Sequence, residues 1–144
     1  MIKMSNLDFD QTLFRINKLY TENTNANLKE FNVTRSDMSF LLKLNEMGEI
    51  TQKDLAKSKS LNNATVTRAL ERLEKKGFVK RREDENDKRK KNVLLTSDGK
   101  QILNKIMKKH ESYKNEIFNE FDENELQKLM ILLDKLLFGL ENLK

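Results

Sequence analysis

The sequence predicts a mainly α-helical fold, α+β only through one small β-hairpin, and three observations carry that. The 144 residues contain no Pro and only 4 Gly, so little interrupts helix propagation. Helix-opening signals recur along the chain: Thr34 with Asp37, Thr51 with Asp54, Asn62, Thr96, and Asp122 with Glu125, each ahead of an apolar-periodic run. One stretch departs from this pattern, where short runs at 78–82 and 92–95 flank the turn residues Asp84, Glu85, Asn86 and Asp87, the signature of a hairpin.

The elements follow in order. Residues 8–31 place Leu13, Ile16 and Tyr20 at helical spacing, with Leu28 and Phe31 further on. The polar stretch 21–27 leaves open whether this helix runs through or breaks near 23–27. Thr34 then opens a second helix whose inward face is expected to hold Met38, Leu41, Leu42 and Met47, stopped by Gly48. Thr51 and Asp54 flank a short helix over about 52–57, with Leu55 and Ala56 inward.

A turn through 58–61 leads to Asn62, a good N-cap for a helix over 62–76. Val66, Ala69, Leu70 and Leu73 lie on one side of it. The opposite side presents Ala64, Thr67, Arg68 and Glu71, flanked by Asn63 and Thr65. Gly77 is a natural C-terminal stop before the hairpin. Thr96 caps a helix running to about Phe118, with Ile102, Ile106, Tyr113 and Ile117 in phase. The last helix repeats Leu126, Leu129, Met130, Leu133, Leu136, Leu137 and Leu140, a stripe wider than one-sided docking needs. With a hydrophobic fraction of 37%, that width favours a dimer seam. No internal repeat or low-complexity tract interrupts the chain.

Charge is concentrated. Residues 51–91 hold 14 Lys+Arg against 7 Asp+Glu, a local net of +7, and the remainder of the chain nets −2. A basic patch on an otherwise near-neutral protein is the electrostatic footprint of a nucleic-acid binder. Small and hydrogen-bonding residues at the start of the 62–76 helix suit entry into a DNA groove, where the backbone must come close and Asn, Thr or Arg must reach base edges; taken alone they read more readily as the solvated polar face that any surface helix has.

Several function classes are excluded by inventory. There is no Cys, which removes disulfides, thiolate metal sites and thiol redox sensing; with His110 the one His, the three or four ligands of a zinc site are not expected. No glycine-rich phosphate loop and no distinctive carboxylate pair point to catalysis, so no enzyme, cofactor or metal is expected. Residues 1–10 have no apolar core of a targeting peptide, and no run approaches a membrane span; a soluble cytoplasmic protein is expected.

The run "ITQKDLAKSKSLNNATVTRALERLEKKGFVKRRED" at 50–84, followed by "DENDKRKKNVLLTSDGK" at 84–100, resembles the MarR family of winged helix-turn-helix transcriptional regulators. The first run carries Leu55, Ala56, Val66 to Arg68 and the exit over 73–81; the second carries the wing signature Asp87, Arg89, Leu95, Thr96 and Gly99 in register. The resemblance covers about 31–138 and rests on both runs in order with flanking helices.

It implies a winged helix-turn-helix DNA-binding domain over 33–96, with 1–32 and 97–144 forming a helical dimerisation region. The homodimer would bind a pseudo-palindromic double-stranded DNA operator, with half-sites about one turn, roughly 34 Å, apart. Asn63, Thr65, Thr67 and Arg68 would contact bases or groove. Thr51, Gln52 and Lys53, at a helix N-terminus, would hold a phosphate. Arg89 would enter the adjacent minor groove with Asp87 orienting it, and Lys88, Lys90 and Lys91 would meet phosphates or solvent. Repression is the expected sign, although operator placement decides it.

Many family members release DNA when a small aromatic or anionic ligand fills a crevice beside the dimerisation helices. Arg15, Tyr20, Ser39, His110 and Tyr113 are the polar or aromatic residues that would border it, and nothing in the sequence identifies the ligand. The alternative left open is a winged-helix module that binds DNA nonspecifically or contacts protein.

Overall fold

The computed structural model describes residues 6–143; residues 1–5, part of the stretch read for a targeting peptide, lie outside the described residues. Six helices and a three-stranded antiparallel sheet follow in the order α1 (Asn6–Lys29), α2 (Arg35–Met47), β1 (Ile50–Thr51), α3 (Gln52–Ser58), α4 (Asn63–Lys75), β2 (Val79–Glu83), β3 (Lys91–Leu95), α5 (Ser97–Ile117) and α6 (Glu123–Glu141). The chain divides into two units, Met1–Lys108 and Lys109–Lys144.

In the larger unit α1 runs unbroken through its polar half. Thr24 Oγ1 donates to the carbonyls of Tyr20 at 2.9 Å and Thr21 at 3.1 Å, so this hydroxyl is satisfied on its own helix. The chain leaves α1 through Asn32 at φ 56°, the left-handed stop that Asn tolerates, with Val33 N donating to Leu28 O at 3.2 Å.

α2 opens with a reciprocal cap: Asp37 N donates to Thr34 Oγ1 at 3.0 Å and Thr34 N to Asp37 Oδ2 at 3.1 Å. Gly48, at φ 72°, stops it. Its inward face differs from the expected one. Phe40, Leu41 and Leu44 are buried, Met38 packs at the core's margin, and Leu42 and Met47 are exposed. The helix is turned by about one residue because Asp37 also points inward, held there by Lys76 and Arg72.

β1 is a two-residue strand, too short to announce itself by alternation, in a segment expected only to connect two helices. It pairs with β3 as Ile50↔Val93, and β3 pairs with β2 from Val79↔Leu95 to Glu83↔Lys91, giving the order β1-β3-β2. α3 and α4 carry the expected caps, Asp54 N donating to Thr51 Oγ1 at 3.1 Å and Thr65 N to Asn62 Oδ1 at 2.8 Å. Leu55, Ala56, Val66, Ala69, Leu70 and Leu73 meet Phe40, Leu41, Leu44, Val79, Val93, Leu95, Leu103 and Ile106 in one core. α4 and the sheet are thereby fixed to the same apolar centre, and this is what positions the basic face.

Thr96 ties the hairpin to the start of α5. Thr96 Oγ1 donates to Gly77 O at 2.6 Å and accepts from Gly99 N at 3.0 Å, while Thr96 N donates to Phe78 O at 3.1 Å.

In the smaller unit α6 begins with a reciprocal cap between Asp122 and Glu125, at 2.8 and 3.1 Å. The Phe118 and Phe121 rings meet edge to face 5.5 Å apart. No residue of α6 is buried. Met130, Ile131, Leu132, Leu133, Leu137, Phe138 and Leu140 are all exposed.

Candidate nucleic-acid interface

Because α4 buries Val66, Ala69, Leu70 and Leu73, helical geometry turns Asn63, Ala64, Arg68 and Glu71 to solvent, with Thr65 and Thr67 half-buried beside them. The first turn of this face is free of large side chains. α3 lies against its start, and the wing formed by β2, β3 and the loop between them stands on the other flank.

A cleft of about 770 Å³ opens between these elements. Thr51, Gln52, Lys53, Asp54, Lys57 and Asn63 line it from the helices, and Arg89, Lys90 and Lys91 from the wing. Five cations and a single carboxylate therefore converge on one concavity, which concentrates positive potential. Of the residues expected at DNA, Thr51, Gln52, Lys53, Asn63, Arg89 and Lys90 meet there. Thr65, Thr67, Arg68, Asp87 and Lys88 do not line the cleft; Arg68 lies on the exposed face of α4 and Lys88 on the wing loop.

Gln52 does not simply extend toward solvent. Its Nε2 donates to Asn63 Oδ1 at 3.0 Å and Thr67 Oγ1 at 2.7 Å. Its Oε1 is approached by Arg81 Nη1 at 3.5 Å. Arg81 is held in turn by Glu74, with Nε at 2.7 Å and Nη2 at 2.6 Å from Oε1. One amide thus ties α3 to α4 and to β2. The sequence offered no signal for this, because the partners lie 11, 15 and 29 residues away.

The wing tip is built by short-range bonds. Asp84 N donates to Lys90 O at 2.9 Å and Lys90 N to Asp87 O at 3.0 Å. Asp87 Oδ1 accepts from Arg89 N at 3.0 Å and from Arg89 Nε at 3.3 Å. The Arg89 side chain is nevertheless 93% exposed, so the carboxylate orients the guanidinium without covering it. At the wing's base, Arg82 pairs with Glu49, and Asn92 Nδ2 donates to Glu49 Oε2 at 3.2 Å and Asp84 Oδ1 at 3.1 Å. Through Glu49, Arg82 and Asn92 anchor the hairpin to the segment before β1, a role sequence reasoning assigned to none of the three.

Behind α4, Asp37 is fully buried and links the start of α2 to the end of the exposed helix. Lys76 Nζ donates to its Oδ2 at 2.8 Å, and Arg72 Nη2 stands 3.5 Å from its Oδ1. Burial by itself would raise this carboxyl's pKa. The Lys76 hydrogen bond, the Thr34 amide and the charges of Lys76 and Arg72 outweigh it and hold the group below its ordinary value.

Among the residues named for a ligand crevice, Ser39 accepts from Lys59, whose Nζ lies 4.5 Å over the Phe40 ring. Burial, then the Lys43 charge, pushes the Lys59 pKa down. In the smaller unit the His110 and Tyr113 rings stand 6.5 Å apart. Among the described residues, no group of three or more His, Cys, Asp or Glu could hold a metal ion, and no helix is long and apolar enough to cross a membrane.

A short helix, a second helix with an open polar face and a basic hairpin on one core define the winged helix-turn-helix class. Comparison with known proteins gives the family: the MarR family model matches residues 33–91. The uncharacterised helix-turn-helix-type transcriptional regulator YwoH of Bacillus subtilis is 32% identical over 108 residues, 75% of this chain and 78% of that one. The regulator PecS of Dickeya dadantii is 27% identical over 127 residues, 86% and 76%.

Among solved structures, MepR, a transcription regulator of the Staphylococcus aureus multidrug efflux pump MepA, superposes with a TM-score of 0.77 at 26% identity, covering 90% of this chain and 97% of that one. A mutant of E. coli MarR complexed with operator DNA gives a TM-score of 0.65 at 26% identity, covering 93% and 99%. This chain belongs to the MarR family. It is a transcriptional regulator of that family and not an enzyme.

Proposed function

We propose that this regulator binds a pseudo-palindromic DNA operator as a homodimer and represses the genes beside it. The observation that carries the reading is the basic cleft in which the start of α4, the start of α3 and the wing converge. A neighbour of the same fold was solved on operator DNA, which supports it further. In this reading α4 enters the major groove, Asn63, Thr65, Thr67 and Arg68 meet base edges or groove walls, and Arg89, oriented by Asp87, enters the adjacent minor groove. Lys53, Lys88, Lys90 and Lys91 neutralise phosphates, and Thr51 holds the α3 start against the backbone.

Residues 33–96 form the DNA-binding domain in this proposal, and 1–32 with 97–144 the dimerisation region. The support is apolar exposure: Leu13, Phe14, Ile16 and Leu19 on α1 and the Leu-rich surface of α6 stand open to solvent, more than a soluble monomer ordinarily leaves uncovered. A dimer lying across a promoter would exclude polymerase, hence repression. We further assign release of the operator to a small aromatic or anionic ligand, and the cytoplasm as the site of action.

Selection of bound duplexes from a random pool at near-physiological salt tests the reading. An inverted repeat with half-sites one turn apart is expected; recovery of no motif would leave nonspecific binding or a protein-contact module. Nonspecific binding is almost wholly counterion release and shows no surplus affinity for one site.

A further inference from the structure

The polar chain that ends on the exposed face of α4 runs in one direction. The Glu74 carboxylate only accepts and the Arg81 guanidinium only donates, to Glu74 Oε1 at 2.7 Å and toward Gln52 Oε1 at 3.5 Å. The Gln52 amide is therefore turned with its oxygen to Arg81 and its NH₂ to α4. There it donates to Asn63 Oδ1 and Thr67 Oγ1. Flipping the Asn63 amide would set two NH₂ groups against each other, so its oxygen stays with Gln52. What Asn63 offers outward is its Nδ2 hydrogens, and Thr67 keeps its hydroxyl proton to give.

We propose that Gln52 is a positioning residue for base selection: it sets Asn63 and Thr67 as hydrogen-bond donors, so that the strand they face carries guanine or thymine at the base pair they meet. This rests on the reading of the α4 face as the operator-contacting surface. The reasoning is that Asn reads adenine in two-point fashion, giving to N7 and taking from the N6 amine. With Oδ1 turned toward Gln52 it no longer faces the same way as the outward Nδ2, and the second half of that contact is lost. Guanine, with N7 and O6 both acceptors, and thymine, with O4, match a donor surface. The exocyclic amines of adenine and cytosine oppose it.

The test is selection from a random duplex pool with the wild type, Asn63→Ala, Gln52→Glu and Gln52→Met in the full-length chain. Asn63→Ala identifies the base pair by erasing its preference, which the wild type should show by about fivefold or more; the strand that carries guanine or thymine there is the one the proposal sets against Asn63. A carboxylate in place of the Gln52 amide would only accept, so in Gln52→Glu the Asn63 amide should reverse and present its oxygen, and the preference should move to adenine or cytosine on that same strand. Gln52→Met releases Asn63 to either orientation and should flatten the preference; it decides the matter if the added carboxylate repels DNA too strongly for any pool to be recovered. No base pair responding to Asn63→Ala, a base preference unchanged in the Gln52 variants, or an exchange of guanine for thymine or the reverse on that strand in Gln52→Glu overturns the inference while the operator reading stands. Recovery of no motif by the wild type overturns the operator reading, and this inference with it.

Discussion

At Gly99 a Cβ would stand 2.1 Å from the Phe78 carbonyl oxygen, so the tie between the wing and α5 depends on a missing methyl group. Gly99→Ala should cost about 3 kcal/mol in urea unfolding, the range of overpacking against backbone that cannot yield. Arg89 is the opposite case: its side chain is 93% exposed and is oriented by Asp87 alone on the wing loop. Arg89→Ala should leave circular dichroism and oligomeric state unchanged. It should weaken operator binding at least about tenfold and reduce the salt slope by about one ion; unchanged affinity would remove the wing from the interface. For Asp37 the carboxylate is favoured in the folded state, so its stabilisation is present above the ordinary value of 3.8 and is lost as pH falls through the lower folded value. Asp37→Asn should therefore be less stable than the wild type at neutral pH, and the gap should close below pH 3.8. A constant gap in thermal melts would show that the charge is not what matters. The caps at Thr34, Asn62 and Asp122 were legible at this scale because each bonds a residue three positions away. Gln52 was expected at a phosphate, and its internal partners were invisible for the converse reason.

The helices themselves were legible, and their phases less so. α4 buries the expected four residues, since its apolar positions fall on one unambiguous face. In α2 apolar residues occupy 38, 40, 41, 42, 44 and 47, which allows two rotations. The buried Asp37 and its partners on α4 select the one that hides Phe40 and Leu44. Truncation measures that choice: Phe40→Ala should cost about 4 kcal/mol and Leu42→Ala well under half of that, by chemical denaturation. Equal losses would mean that the inward face of α2 is not the one described. α1 runs on through its polar half with the Thr24 hydroxyl bonded to the preceding turn, which the apolar periodicity left open. β1 exists only because β3 lies beside it.

At the scale of the whole molecule, the proposed function assigns association to the exposed apolar surfaces of α1 and α6 and binding to the concentration of charge in 51–91. Leu133, 45% exposed on α6, should be covered in the dimer. Leu133→Asp is expected to shift the sedimentation profile toward monomer and to weaken operator binding by loss of the second half-site; an unaltered profile would move the seam elsewhere. By itself the sequence determined the helix starts, the Gly stops, the basic hairpin and membership of a winged-helix family. Those depend on interactions spanning three or four residues or on an ordered string of motifs. Only the tertiary structure decided the rotation of α2, the third strand, the burial of Asp37 beneath the exposed helix and the amide chain from Glu74 to Asn63. Each rests on contacts between residues 7 to 43 positions apart, whose energy exists only when the core has brought them together and which leave no local pattern to read.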